Sequence, residues 1–126
     1  MVVSEKDLKC LSFPEAQVLE MNVDPLRKTI NIHVDHAYID DSNSGIHLQK
    51  VVLSISDFRD ISACEFESGI LKPINPEDHR FFLRDICEFL IENDQILIKG
   101  FSKIRGFWVE FEILHGKLTV EYSQTA

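Results

Sequence analysis

The last quarter of the chain, residues 95–122, places the tightest constraint on the fold. Three short segments there alternate apolar and polar residues, and they are separated at Gly100, Gly106 and Gly116. Alternation with a period of two is typical of a strand with one buried side, and glycine between such segments favours tight turns. The sequence therefore predicts a three-stranded antiparallel meander with one apolar face and one acidic face.

Earlier parts of the chain show the same period. Alternating apolar residues predict strands at 17–23, 28–38 and 46–55. The alternation breaks near Lys50, which predicts a β-bulge there. The polar run at 40–45 ends in glycine and predicts a turn, because short polar side chains bond their own backbone and glycine adopts positive φ.

One helix is predicted between the two groups of strands, over residues 76–92. Asn75 suits the N-cap, and Pro76 suits the first helical position, where the missing N–H does no harm. Apolar residues at helical spacing form one stripe, with charged residues on the opposite side. The stripe consists of Phe82, Leu83, Ile86, Phe89 and Leu90.

The order of strands, one helix and further strands, without βα alternation, favours the α+β class. We predict a mostly antiparallel sheet of about six strands with the helix at 76–92 packed on one face. The 126 residues fit a single domain, 1–126, in which 1–16 is irregular and 56–72 has no consistent pattern. The predicted core comprises Leu19, Met21, Ile30, Ile32, Val34, Phe82, Ile86, Phe89, Ile98, Phe107, Val109, Phe111, Ile113 and Val120.

Composition narrows the function classes. Thirteen Lys and Arg against 21 Asp and Glu give a net charge of -8, which would repel the phosphates of a nucleic acid. The chain has neither an apolar run long enough to span a membrane nor the apolar core of a signal peptide. The chain has an odd number of cysteines, at positions without the spacing of a metal site, which is typical of reduced thiols. They are Cys10, Cys64 and Cys87. We therefore expect a cytoplasmic protein that binds neither nucleic acid nor membrane.

The residues that most resemble a reactive or metal site are His33, Asp35 and His36. On a strand, His33 and Asp35 would point to one side and His36 to the other, so the three would not hold one metal ion. Neither a nucleophile elbow nor a glycine-rich phosphate loop is present. The sequence thus predicts no catalytic residues, metal or cofactor, although a Cys–His pair formed only in three dimensions stays open. The alternative is a small-ligand-binding protein or an unrecognised enzyme, with a helix–sheet pocket near His36, Tyr38 and Cys87.

The acidic side of the meander is the main candidate for a binding surface. Trp108, Glu110, Glu112 and Glu121 are expected to stand together on neighbouring strands. Like charges across strands are destabilising, and a tryptophan among carboxylates is typical of an interface with a basic protein. Alternatively, Trp108 packs against another element and the glutamates are merely solvated. A third possibility is a homodimer joined through sheet edges, with Trp108 packed on its symmetry mate.

A family resemblance is centred on residues 99–112. A Gly-Phe pair at Gly100 stands near a strand end, Gly106 precedes Trp108 by two positions, and an alternating Glu-rich strand follows. In these features about a quarter of the chain resembles small bacterial immunity proteins and their uncharacterised relatives. The resemblance implies an acidic, single-domain α+β protein that binds and blocks a toxin or effector enzyme and has no catalytic residues. The expected function is therefore non-enzymatic, immunity- or inhibitor-like binding of another protein.

Overall fold

The chain folds into two antiparallel β-sheets, one of them curled into a half-barrel. The computed structural model describes residues 1–40 and 45–125. The turn predicted at 40–45 therefore falls, in residues 41–44, outside the described residues. In chain order the strands are β1 (Leu11–Ser12), β2 (Val18–Asp24), β3 (Thr29–Asp40), β4 (Gly45–Ser56), β5 (Asp60–Glu67), β6 (Ile70–Ile74), β7 (Glu88–Glu92), β8 (Gln95–Phe101), β9 (Trp108–Leu114), β10 (Lys117–Glu121) and β11 (Gln124–Thr125).

The first sheet is built around the long hairpin of β3 and β4. β1 and β2 pair with one side of β3, and β10 and β11 pair with the far side of β4. The strands predicted at 17–23, 28–38 and 46–55 are confirmed as β2, β3 and β4. Burial along β4 shifts by one position at Lys50, whose φ is 55°, so the predicted irregularity is confirmed there.

The second sheet has the strand order β6-β5-β9-β8-β7. Its inner face contributes Val109, Phe111 and Ile113 to the core, all almost completely buried. The alternate residues of β9 are half-buried on the other side. We call that side the outer face. The apolar side chains of β3 and β4 fill the core opposite the inner face, so the predicted single sheet is replaced by two packed ones.

The meander is only partly as predicted. β8 and β9 pair in register, but β10 leaves them and pairs with β4 in the first sheet. The turn between β9 and β10 contains His115, with φ of 59°, and Gly116. A Cβ at Gly116 would lie 2.6 Å from Cγ2 of Ile55, so glycine is what permits the chain to pass this closely between the sheets.

The predicted helix at 76–92 is wrong, and with it the α+β class. A 3-10 turn at His79–Phe81 is followed by an extended stretch and then by β7, and the longest helix of the described chain is the six-residue 3-10 helix Glu5–Cys10. The extended stretch bonds to β8: the backbone N–H of Arg84 donates to the carbonyl of Phe101 at 2.7 Å. Pairing with a neighbouring strand has overridden the local helical pattern.

Most of the predicted core is confirmed, with two errors. Leu19 is 62% exposed, because the register of β2 shifts between Val18 and Glu20 and the extra residue turns outward. Phe107 is exposed in the loop before β9. Three predicted residues, Met21, Phe82 and Phe89, are only partly buried against the core. The confirmed residues are Ile30, Ile32, Val34, Ile86, Ile98, Val109, Phe111, Ile113 and Val120.

Asp78 caps the 3-10 turn and provides a pH test of this region. Its Oδ1 accepts the backbone N–H of Arg80 at 3.0 Å, and its Oδ2 lies 2.7 Å from Nη2 of the same arginine. The side-chain hydrogen bonds from Arg80, followed by the backbone bond, lower the pKa of Asp78 from 3.8 to about 2.

We therefore expect the Asp78 carboxyl to titrate with a midpoint of about 2 in an NMR pH series. The pKa of Asp78 is lower in the folded state than in the unfolded state. The ionised carboxylate therefore stabilises the fold fully above about pH 4, and this stabilisation is lost as the pH falls toward 2. In an Arg80→Gln variant the midpoint should rise toward the ordinary value. Equal midpoints near 4 in both proteins would contradict the geometry.

Candidate functional site

Four apolar side chains form a continuous row across the outer face of the second sheet. β-pairing places Phe66 of β5 opposite both Leu71 of β6 and Trp108 of β9. Trp108 is in turn opposite Phe101 of β8. Directly opposed residues of antiparallel strands project to the same face, so the four side chains are neighbours. We call this set, Leu71, Phe66, Trp108 and Phe101, the apolar row.

The apolar row is accessible to solvent. Leu71 is 48% exposed and Phe66 is 44% exposed. The half-buried rings of Trp108 and Phe101 meet edge to face, with their centroids 5.3 Å apart. Contiguous exposed apolar surface of this kind usually marks an interaction site on a soluble protein.

Two carboxylates of β9 lie on the outer face next to the row. Glu110 and Glu112 follow Trp108 at two-residue intervals along β9, and the indole N–H of Trp108 donates to Oε2 of Glu110 at 2.9 Å. Lys99 partly neutralises Glu110, since its Nζ lies 3.9 Å from Oε1. Glu112 stands opposite Leu97 on one side and Ser62 on the other. Of the two carboxylates of β9, Glu112 is therefore the one better placed to meet a cation from outside.

Glu121 does not join this group. It ends β10 in the first sheet, where it is exposed and opposite Val52 of β4. The structure thus brings together Trp108, Glu110 and Glu112 but separates them from the fourth residue predicted with them. The separation follows from the change of sheet between β9 and β10.

His36 and Tyr38 lie side by side, with ring centroids 5.8 Å apart. A third ring, His47 of β4, stacks on Tyr38 at 4.6 Å. Nε2 of His36 lies 2.9 Å from the carbonyl oxygen of Pro14, and Nδ1 lies 3.2 Å from Oδ1 of Asp35. These rings form a packed cluster on the first sheet and not a wall of the helix–sheet pocket predicted for them, because the helix is absent from that segment.

Cys87, the third residue of the predicted pocket, is exposed and lies beside Asp85. Its Sγ lies 3.5 Å from Oδ1 of Asp85. Partial burial, followed by the charge of Asp85, raises the pKa of the Cys87 thiol, which disfavours the nucleophilic thiolate. Within residues 1–40 and 45–125, no group of three or more His, Cys, Asp or Glu is arranged to hold a metal ion.

A cleft of about 680 Å³ opens on another side of the molecule. It lies between the N-terminal segment, the β7–β8 turn and β10, with Leu8, Ile91 and Ile96 among its apolar lining and Lys9 and Asp94 among its charged lining. The lining residues include neither histidine nor cysteine. The cleft therefore lacks the pairing of nucleophile and imidazole base that acyl-transfer chemistry commonly uses.

Sequence reasoning identified only Trp108 of the apolar row and missed Phe101, Phe66 and Leu71. Phe66 and Leu71 fall in the segment 56–72, where no consistent period was visible. A usable signal was present in Ser68-Gly69, a dipeptide typical of a two-residue hairpin turn. That turn fixes the pairing of β5 with β6 and so places Phe66 next to Leu71.

No family model, curated protein or solved structure matches the chain. The helices in residues 1–40 and 45–125 include none that is long and apolar enough to cross a membrane. The candidate binding surface of the molecule is the outer face of the second sheet, with its apolar row and its carboxylates.

Proposed function

We propose that the chain is a non-enzymatic cytoplasmic protein that binds another protein through the outer face of its second sheet. The observation that carries this proposal is the exposed apolar row beside Glu110 and Glu112. An immunity- or inhibitor-like role is the form of binding suggested by the local resemblance of residues 99–112 to small immunity proteins, whose implied α+β fold differs from the two-sheet fold of this chain.

The chemistry of the face specifies the partner. The apolar row offers aromatic and aliphatic surface to a side chain of the same kind, which would displace water from Trp108 and Phe66. A lysine or arginine beside that anchor would pair with Glu112. The net charge of -8 would also speed the approach of a basic protein.

Trp108 is held in place before a partner arrives. Its indole N–H is bonded to Glu110, and its ring contacts Phe101. A side chain fixed in this way loses little conformational entropy on binding, so more of the contact energy appears as affinity. Large fixed aromatic side chains are also the residues most often found to dominate interfaces.

The test is an affinity capture from the native cytosol followed by calorimetry with the captured protein. We expect Trp108→Ala and Glu112→Lys each to weaken binding by roughly 10-fold or more, because one removes the anchor and the other places a cation against a basic partner. Glu121→Lys is the matched control, since it makes the same charge change on the other sheet, and it should weaken binding about 3-fold at most, through net charge alone.

Two outcomes would contradict the proposal. One is that wild type and Trp108→Ala capture the same proteins with the same affinity. The other is that Glu121→Lys weakens binding as strongly as Glu112→Lys, which would show a response to net charge and not to the outer face.

A further inference from the structure

β6 forms an open apolar edge of the second sheet. Among residues 1–40 and 45–125 its one pairing partner is β5, and its first four residues are exposed. Ile70 is 59% exposed, and the next residue, Leu71, belongs to the apolar row. The strand contains no carboxylate, in a chain that has 21 acidic residues. The free N–H and C=O groups of an edge strand can pair with another strand, and lysine and proline commonly protect such an edge. In β6 these residues, Lys72 and Pro73, follow Leu71, so the first two positions of the strand are the unprotected part.

The turn before β6 determines which backbone groups are free. Ser68 and Gly69 have φ of 53° and 82°, the pair of positive values that defines a two-residue type I′ hairpin. In such a hairpin the flanking pair, Glu67 and Ile70, is hydrogen-bonded, and bonded and non-bonded pairs then alternate. The N–H and C=O of Leu71 therefore point away from β5, out of the edge.

Pro73 agrees with this assignment. It lies two residues after Leu71, so its backbone also points outward. Proline has no N–H, and an outward position on an edge strand is where its absence leaves the ladder to β5 intact. Leu71 thus holds an outward donor and acceptor pair, whereas Pro73 offers only an acceptor.

We propose that β6 pairs antiparallel with β6 of a second copy of this chain, about a two-fold axis that passes through the Leu71 pair normal to the sheet. The N–H and C=O of each Leu71 then bond their counterparts in the second copy. Such an axis keeps both outer faces on the same side of one continuous sheet. The apolar row consequently runs through the axis into the row of the second copy and doubles in length.

Charge and hydrogen bonding select this register over its neighbour. Centred on Leu71, the pairing sets Lys72 opposite Ile70, so no like charges meet. Centred on Lys72, it would oppose two lysines directly, which is destabilising. It would also set the outward donor and acceptor of Leu71 against Pro73, where one of the two hydrogen bonds cannot form.

The experiment is sedimentation equilibrium of the full chain from 10 μM to 1 mM. Because a single short strand joins the copies, we expect a weak dimer of twice 14.5 kDa with a dissociation constant of roughly 100 μM. Leu71→Glu should raise that constant by about 30-fold or more, since the symmetric pair places two carboxylates opposite each other and removes both leucines.

Ile70→Glu is the matched control. It introduces the same charge one residue away, but the proposed register places that carboxylate beside Lys72 of the second copy, so the dissociation constant should stay the same or fall. Both positions are exposed, and Trp108 fluorescence reports whether each variant is folded. Amide hydrogen exchange gives a second readout. The backbone N–H of residue 71 should become protected from exchange as the wild-type concentration rises, and the same N–H should stay unprotected in Leu71→Glu.

A wild-type protein that is monomeric at 1 mM would overturn the dimer. So would an Ile70→Glu variant that dissociates as readily as Leu71→Glu, because that result would mean apolar association without the proposed register. A monomeric wild type that still binds a partner through Glu112 would overturn the dimer alone and leave the proposed function standing.

Discussion

Gly100→Ala is expected to lower the free energy of unfolding by about 3 kcal/mol. A Cβ at this position would lie 2.2 Å from the carbonyl oxygen of Asp85 and 2.9 Å from Oδ1 of the same residue. Rotation of a side chain cannot relieve the first contact, because its atom belongs to the backbone. The methyl group would have to push the extended stretch before β7 away from β8.

That displacement would also break hydrogen bonds. Oδ1 of Asp85 accepts the backbone N–H of Phe101 at 2.9 Å, and the N–H of Cys87 donates to the carbonyl of Lys99 at 2.8 Å. Urea unfolding followed by Trp108 fluorescence measures the change. Gly45→Ala is the control, since its Cβ would meet its nearest neighbour at an ordinary 3.5 Å, and it should change stability by about 0.5 kcal/mol or less. Equal losses in the two variants would contradict the close approach at Gly100.

The same contact explains why the helix prediction failed. The segment 82–90 satisfies a helical period, but Phe89, Leu90 and Ile91 also form a short apolar run between two glutamates, which a strand accommodates equally well. The hydrogen bonds between this segment and β8, across Gly100, decide in favour of the extended conformation. The spacing of apolar residues within the segment holds no information about that neighbouring strand. By contrast, β3 and β4 bury alternate residues except for one shift in each, after Val34 and at Lys50, so the period of two is clear over most of their 12 residues.

The candidate site likewise contains residues that the sequence pattern could place and residues that it could not. Trp108, Glu110 and Glu112 lie on one strand, so their common face follows from alternation alone. Phe66 and Leu71 reach Trp108 only through the register of three strands, and that register depends on turns and packing distant in sequence. The predicted position of Glu121 was wrong because the chain passes from the second sheet to the first at the turn containing Gly116. The alternating pattern of β10 would be the same in either sheet.

The second large effect is expected at Arg105, in the β8–β9 loop. Its Nε lies 2.7 Å from Oε2 of Glu65, and its Nη2 lies 3.0 Å from Oε1. Glu65 is only 3% exposed, although it is a carboxylate on the inner face of β5. The hydrogen bond to Glu65 raises the pKa of Arg105, so the guanidinium stays charged. Arg105 also lies over the rings of Phe81 and Phe107, with its Cζ 5.6 Å and 5.4 Å from their centroids.

Arg105→Met should therefore lower the melting temperature by roughly 10 °C, because it leaves the buried Glu65 carboxylate without a partner. Glu65→Leu should have a smaller effect, since the arginine left behind is partly exposed and can turn toward water. The double variant Glu65→Leu/Arg105→Met should recover most of the loss, because two apolar side chains replace a buried ion pair at little net cost.

Calorimetric melting of the four proteins forms a double-mutant cycle that isolates the pair. A double variant that melts as low as Arg105→Met alone would mean that packing on Phe81 and Phe107 matters more than the unpaired charge. Arg105→Lys separates the two effects further, since it keeps the charge but loses the two parallel bonds. The outcome also bears on binding, because Arg105 fixes the loop that leads directly into Trp108.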